Sequence, residues 1–528
     1  SSLLNKTGTW RTERPVYLDR LPPCNHACPA GENIQAWLGH AEEGDYEAAW
    51  HQIMEDNPLP AIMGRVCYCP CEGACNRVGL DEAVGINSVE RFLGDQALMY
   101  GWEVEPGTTT GQRVMIIGAG PTGLSAAFHL RRFGHEVTIF DANPQAGGMI
   151  RYGIPKYRMP REKLRAEVAR IEAMGVEIKL NTEIDDVLAT KQGGQFDAVF
   201  LCIGAQLPRR IEIVSDDEIP ILDAISVLRD TELDNPSKLT GHVVVYGGGN
   251  TAIDVARTAI RMGAISANLI AYEAREHMPA HSFEVEEALE EGVVLSCLRS
   301  IKQVDGRSVT LERMRATNER WPEPTGEFEN IEADVIVQAI GQDIDVGFLQ
   351  NIPSVEIKDG TVQVDGEMRT GAEGLFAGGD MVPSIRTVTA AIGHGKKAAR
   401  NIDVYLREEK YVPPRKHEVV TSEMLNPWYY SDAPRTVRPM LDVVRRKTGF
   451  AEIVGDLDED NAAFEARRCM SCGNCFECDN CYGVCPDNAI TKLGPGKRFE
   501  FKYDYCKGCA MCATECPCGA IKMIPEDI

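Results

Sequence analysis

Residues 113–141 read RVMIIGAGPTGLSAAFHLRRFGHEVTIFD. An apolar strand over Val114–Ile117 runs into a glycine turn, an amphipathic helix follows to Gly134, and a second strand ends at Asp141, which is the opening of a βαβ unit. Gly118 permits the tight turn, Gly120 lets the backbone approach a pyrophosphate at the helix N-terminus, and Gly123 lets helix and strand pack closely. Asp141 stands about 20 residues on, where an acid accepts hydrogen bonds from ribose hydroxyls. A second copy follows at 242–273, HVVVYGGGNTAIDVARTAIRMGAISANLIAYE, in which Gly247, Gly249 and Ala252 fill the G-x-G-x-x-A variant and Asn250 and Thr251 begin the helix. Two fingerprints imply two dinucleotides.

The first site has companions. GGMIRYGIP (147–155) and GLFAGGD (374–380) place small residues and an acid where a flavin's hydroxyls need partners, and a helix starting near Thr387 can aim its positive end at an isoalloxazine. FAD is expected there, held by Gly118, Gly120, Gly123, Asp141, Gly148, Met149, Arg151, Gly379, Asp380, Thr387 and Val388. The second fingerprint lies in an insertion expected over 241–332 and suits a mobile nicotinamide nucleotide, at Gly247, Gly249, Asn250, Thr251, Ala252, Glu273, Arg275 and Gly341. Glu273 ends the second strand, where a carboxylate binds a 2′-hydroxyl but repels a 2′-phosphate by about 1 to 4 kcal/mol at ~4 Å. NADH is therefore expected over NADPH, with Arg275 as the residue that could instead pair a phosphate.

With 528 residues, the chain calls for two to four domains of roughly 100–200 residues. A mean hydropathy of -0.22 and the lack of an apolar run near 18 residues exclude a membrane helix. Residues 1–15 lack a basic-then-apolar leader, so the cytoplasm is expected. A net charge of -24 argues against nucleic acid and leaves small molecules and proteins as partners. Of the 19 cysteines, only Cys202 and Cys297 lie outside two clusters, which in a long chain without a leader read as metal ligands before disulfides.

The C-terminal cluster holds two C-x2-C-x2-C-x3-C-P runs, in which the fourth cysteine ligates the other cluster. One [4Fe-4S] cluster is then expected on Cys475, Cys478, Cys481 and Cys516, and one on Cys506, Cys509, Cys512 and Cys485. Cys469 and Cys472 are left over, expected as structural thiols near the cluster with a further metal site as the alternative, and Cys518 stays unpaired. The N-terminal cysteines, Cys24, Cys28, Cys67, Cys69, Cys71 and Cys75, lack the paired C-x-x-C knuckles of zinc sites and point to iron-sulfur.

CNHACPAGENI and NPLPAIMGRVCYCPCEGACN, together with GAGPTGLSAA, GGMIRYGIP, GGGNTAIDVARTA and GLFAGGD, resemble the glutamate synthase small-subunit family over residues 20–410. The resemblance implies an adrenodoxin-reductase-like pair of Rossmann domains behind a helical iron-sulfur domain. It implies one N-terminal [4Fe-4S] cluster on Cys28, Cys67 and Cys71 with Glu90 as fourth ligand. Cys24 and Cys75 match a second cluster whose upstream cysteine pair is missing here, with Cys69 the one spare thiol nearby; that cluster is left open. NADP-type members carry arginines at the positions of Tyr272 and Glu273, which again favours NADH.

The expected architecture is multidomain. It comprises an α-helical iron-sulfur domain (1–110), an α/β FAD domain (111–240 plus 333–411) with an inserted α/β NAD domain (241–332), a connector (412–468) and an α+β ferredoxin-like domain (469–528). Such a chain passes electrons between NADH and a partner through FAD and clusters, as a subunit of a hetero-oligomer, with cofactor binders rather than an acid-base residue at its site. Ferredoxin-tailed relatives resemble subunits serving 2-oxoacid:acceptor oxidoreductases, the expected partner. A dissimilatory sulfite reductase subunit, a stand-alone NAD(P)H:ferredoxin oxidoreductase, a glutamate synthase small subunit and a non-catalytic relay scaffold are the alternatives.

Overall fold

The computed structural model describes residues 6–233, 239–317, 321–413 and 415–526; residues 1–5, which begin the stretch read for a leader, lie outside it. The first fingerprint sits in a five-stranded parallel sheet ordered Leu375–Ala377, Ala198–Leu201, Arg113–Ile117, Glu136–Phe140, Glu177–Lys179. Val114, Met115 and Ile116 are fully buried, as a central parallel strand covered on both faces requires. The helices Pro121–Arg132 and Val388–Leu406 pack together on this sheet, pinned where Ser125 Oγ donates to Ile392 O at 2.9 Å.

The nucleotide unit is larger than the expected 241–332. Its parallel sheet runs Val294–Ser296, Ser266–Ile270, His242–Tyr246, Val335–Gln338, Ile221–Asp223, so that strands from both sides of the expected boundaries complete it. Leu222 pairs with Val337, and the helix Ala224–Glu232 adds Val227 and Leu228 to its core. The chain enters and leaves through an antiparallel ribbon, Leu207–Pro208 against Gln342–Asp343. Asp343 and Leu207 thus mark the seam, and a second sheet built on Arg299–Asp305, Ser308–Arg315 and Glu323–Glu332 covers one face.

The two ends of the chain exchange parts. The N-terminal helices Ile34–Glu42, Tyr46–Met54, Pro60–Val66 and Ile86–Tyr100 bury Trp37, Trp50 and Leu93, as expected of a helical domain. Yet its core also takes Leu457, Ala462 and Ala466 from the segment read as connector, where Asp458 caps the helix Glu459–Arg467. Conversely, the strand Glu13–Tyr17 leaves that domain and pairs antiparallel with Ile521–Pro525 of the ferredoxin module, stacking Tyr17 on Phe501 at 4.9 Å. Part of the segment read as connector thus packs in the helical domain, and Glu13–Tyr17 sits with the ferredoxin module. Among the described residues no helix is long and apolar enough to cross a membrane.

Candidate functional site

A cleft of about 210 Å³ opens between the two Rossmann-like units. Gly118 stands at φ +114°, where a Cβ would meet Cys202 O at 2.5 Å, so only glycine makes this turn. Gly120 differs: a Cβ there would find nothing nearer than Gly148 Cα at 3.8 Å, leaving its backbone open to a phosphate at the helix start. Asp141 lines the cleft and fixes the turn by accepting from Ala119 N at 2.6 Å and Asn143 N at 2.8 Å. Gly148 and Met149 close one side; Asp380, Thr387 and Val388 close the other. Thr387 Oγ1 accepts from Ala390 N at 3.2 Å and so caps the helix whose positive end faces the cleft. Burial raises the Asp380 carboxyl, with Arg386 opposing.

Three expected flavin residues stand behind the lining. Gly123 and Gly379 pack against Gly118 O and Thr122, where no side chain fits. Arg151 turns away: its Nε donates to Ala146 O at 2.7 Å and its Nη1 lies 3.3 Å from Glu232 Oε1, because the buried carboxylate of the neighbouring unit claims its charge. Sequence reasoning missed Thr122 in the first turn of the fingerprint helix, Gln342 in the antiparallel ribbon, and Gln206 and Arg386 in loops, single polar residues that carry no motif of their own. It also missed Arg158, whose Nη1 lies 2.8 and 3.0 Å from the Asp254 carboxylate.

The second fingerprint has the same plan. Gly247, at φ +148°, backs onto Ala339 O, whereas a Cβ at Gly249 would meet nothing within 4 Å. Ala252 is buried beneath it. The Glu273 carboxylate lies beside the turn, 2.8 Å from where a Gly248 Cβ would sit; Arg275 is exposed. Gly341 is in the ribbon loop, its carbonyl accepting from Arg209 N at 3.0 Å, outside the cleft lining. Asn250, Thr251 and Asp254 line the cleft itself, so the nucleotide unit turns the start of its fingerprint helix toward the first fingerprint.

None of the 19 cysteines is paired in a disulfide. Cys28, Cys67, Cys71 and Glu90 are brought together: burial, then Cys67, Glu72, Cys28 and Glu90, push the Cys71 thiol up, and burial with Glu32 raises Glu90. Asn57 Nδ2 donates to Glu32 Oε1 at 3.0 Å and to Glu90 Oε1 at 2.8 Å. Cys67 is drawn down to about 7 by hydrogen bonding from Cys69, against burial. Cys69 therefore belongs beside this set and does not complete the other one.

Two thiols from the far end of the chain lie beside Cys24 and Cys75. A closed void of about 20 Å³ is lined by Cys24, Cys75, Cys469 and Cys472, and burial followed by Cys469, Cys75 and Cys472 raises Cys24. Cys469 and Cys472, expected as structural thiols near the ferredoxin cluster with a further metal site as the alternative, thus stand beside Cys24 and Cys75. The same arrangement recurs in the ferredoxin module, where a void of about 20 Å³ is lined by Cys485, Cys506, Cys509 and Cys512. Cys481 is pushed up to about 11 by burial, with Cys475, Cys478 and Cys516 adding to it and the Tyr17 hydroxyl, 3.5 Å away, drawing it down. Cys518 lies 3.8 Å from Cys516, outside both four-thiol sets of the module. Among the described residues no three His, Cys, Asp or Glu side chains are placed to hold a single metal ion.

Residues 112–395 match the pyridine nucleotide-disulphide oxidoreductase family, 14–102 the dihydropyrimidine dehydrogenase domain II, 4Fe-4S cluster family, and 474–520 the 4Fe-4S dicluster domain. The chain is 35% identical over 498 residues to the NADP(+)-dependent formate dehydrogenase subunit beta of Moorella thermoacetica, across 85% of this chain and 70% of that one. It is 32% identical over 506 residues to the NADPH-Fe(3+) oxidoreductase subunit beta of Geobacter sulfurreducens, across 85% and 75%. The NAD-dependent dihydropyrimidine dehydrogenase subunit PreT of Escherichia coli is 32% identical over 389 residues, across 73% and 91%. The chain belongs to the pyridine nucleotide-disulphide oxidoreductase family, as an NAD(P)H-dependent iron-sulfur flavoprotein oxidoreductase built on the glutamate synthase small-subunit plan.

Proposed function

We propose that the chain is the NAD(H)-linked subunit of a larger redox complex, exchanging electrons with a partner subunit through FAD and four [4Fe-4S] clusters. The observation that carries this reading is the succession of ligand sets from the cleft to the ferredoxin module. Cys28 and Cys24 flank one helical turn, Cys28 N donating to Cys24 O at 3.1 Å, so the first two sets adjoin. Cys472 and Cys475 are three residues apart, at most about 11 Å of chain, so the second set adjoins the third. Tyr430 stands between them, its ring within the influence of Cys472, Cys469 and Cys478 and its hydroxyl donating to Met470 O at 3.0 Å.

Bound FAD would supply the exchange between a two-electron hydride and the single electrons that clusters carry. The residues of the chain bind and orient. Gly118 and Gly120 shape the phosphate turn, Thr387 fixes the helix end, and Asp380 offers a carboxyl to the cofactor's hydroxyls. Glu273 beside Gly248 supports NADH over NADPH through repulsion of a 2′-phosphate. The names of the relatives divide between the two nucleotides, so kcat/KM for each is the direct measure; a clear NADPH preference refutes this choice.

For the partner, the family resemblance supports a 2-oxoacid oxidoreductase and the Moorella relative supports a formate-oxidising one; both oxidise a small carboxylate with release of CO2. Thiamine diphosphate in the native complex favours the oxoacid, and its absence beside a formate-oxidising subunit favours the second. A reducing cytoplasmic setting accords with cysteines grouped as cluster ligands and none paired in a disulfide. The deciding experiment is anaerobic addition of NADH to the purified protein: flavin bleaching followed by cluster reduction is expected, and an unbleached flavin refutes the proposal.

A further inference from the structure

The loop Cys67, Tyr68, Cys69 touches three sites at once. The Cys67 thiol lies 3.2 Å from Thr389 Oγ1, in the first turn of the helix at the flavin end of the cleft. Tyr68 reaches the other way, into the nucleotide unit. Asn250 Nδ2 donates to the Tyr68 hydroxyl at 2.8 Å, and the Tyr68 ring stacks on His281 with centroids 3.7 Å and planes 17° apart. Asn250 and His281 are themselves joined, His281 N donating to Asn250 Oδ1 at 2.9 Å. Asn250 opens the helix of the second fingerprint, where a dinucleotide's pyrophosphate seeks backbone amides. Tyr68 also forms part of the wall between the FAD cleft and a cavity of about 590 Å³ on the far side of the cysteine loop.

We propose that Tyr68 couples the nicotinamide nucleotide site to the cluster at Cys28, Cys67 and Cys71, so that occupancy of the second fingerprint shifts that cluster's potential. This rests on the cluster reading above. A nucleotide whose phosphates settle on Asn250 and Thr251 competes for the residue that holds Tyr68. Tyr68 has a cysteine on each side, so its displacement is felt at Cys67 Sγ, which accepts from Cys69 N at 3.3 Å. Hydrogen bonds to ligand sulfur are one of the determinants of cluster potential. Linkage makes the effect reciprocal: reducing the cluster changes nucleotide affinity by the same factor.

The test is an EPR-monitored redox titration of the full-length holoprotein with and without saturating ADP-ribose, which carries the pyrophosphate but no nicotinamide and so accepts no hydride. The relevant cluster is the signal that Cys28→Ser removes. Loss of one hydrogen-bonded contact corresponds to roughly a three- to tenfold affinity ratio, so ADP-ribose is expected to move the wild-type potential by about 30 to 60 mV. Tyr68→Phe keeps the ring stack and loses the hydroxyl, and the shift should fall below about 10 mV, roughly a 1.5-fold ratio. Should that variant assemble poorly, Asn250→Ala cuts the same bond from the nucleotide side and is expected to abolish the shift at raised ADP-ribose. No shift in the wild type, or an undiminished shift in both variants, overturns the coupling. If Cys28→Ser removes no signal, the cluster assignment itself falls, which is a distinguishable result.

Discussion

Replacing Cys469 and Cys472 by serine removes half of the thiols around the void they share with Cys24 and Cys75, at nearly constant volume. The loop that carries them is held by other groups: Arg468 donates to Glu82 O at 2.7 Å and to Ala83 O and Ala433 O at 3.0 Å, and Arg77 Nη1 donates to Arg468 O at 2.7 Å. The fold should therefore survive and the damage stay at one cluster. With four ligand sets at four irons each, the iron content of anaerobically purified protein should fall by a quarter, from about sixteen to about twelve atoms per chain. Flavin content and the rate of flavin bleaching by NADH should remain at wild-type values, because the void and the cleft share no lining residue. Reduction of the ferredoxin-module clusters by NADH should slow, since the set that adjoins them is gone. Iron and sulfide assays with stopped-flow absorbance read all three quantities. Undiminished iron in the double variant, or flavin lost in step with iron, would refute the assignment.

Glu273→Gln removes the charge set against a 2′-phosphate, a repulsion of about 1 to 4 kcal/mol at ~4 Å, and should raise kcat/KM for NADPH at least about fivefold with little change for NADH. Tyr17→Phe deletes the hydroxyl 3.5 Å from Cys481 Sγ and, for a hydrogen bond of roughly 0.5 to 1.5 kcal/mol, should lower that cluster's potential by about 20 to 60 mV in an EPR titration. His129 is buried and held neutral, its pKa lowered to about 3 by burial, Lys396 and Arg132. The unfolded chain binds a proton there below about pH 6.5, so the stability due to neutral His129 is present above that pH. It is lost at about 1.4 kcal/mol per pH unit as pH falls toward 3. His129→Gln should flatten this dependence, seen as a smaller difference between thermal midpoints at pH 7 and pH 5.5.

What could be read from the chain was local. Gly118, Gly120 and Asp141, or Cys506, Cys509 and Cys512, lie within one turn or one strand-helix step, and their spacing carries the chemistry directly. The nucleotide unit's outer strand escaped notice because Ile221–Asp223 is only 3 residues long and has its partner, Val335–Gln338, across the inserted unit. Cys469 and Cys472 stand nearest the ferredoxin motif in sequence, whereas in space they lie beside Cys24 and Cys75. The helix Glu459–Arg467 that delivers them reads as one more amphipathic turn in a proline-rich connector. Arg151 misled for a related reason: its fate is set by Glu232, a carboxylate 81 positions away in the sequence.

The exchange of parts between the two ends has a consequence for biogenesis. The strand Glu13–Tyr17 leaves the ribosome first and finds its partner only when Ile521–Pro525 follows. Cys24 and Cys75 wait in the same way for Cys469 and Cys472. At about 5–20 residues per second, the roughly 400 residues between those thiols take about 20 to 80 s to translate. Throughout that interval the nascent chain carries an unpaired β-edge and two uncommitted thiols. Completion of this four-thiol set therefore waits until Cys469 and Cys472 have been made, and the window before it is where oxidants and stalled translation would do their damage.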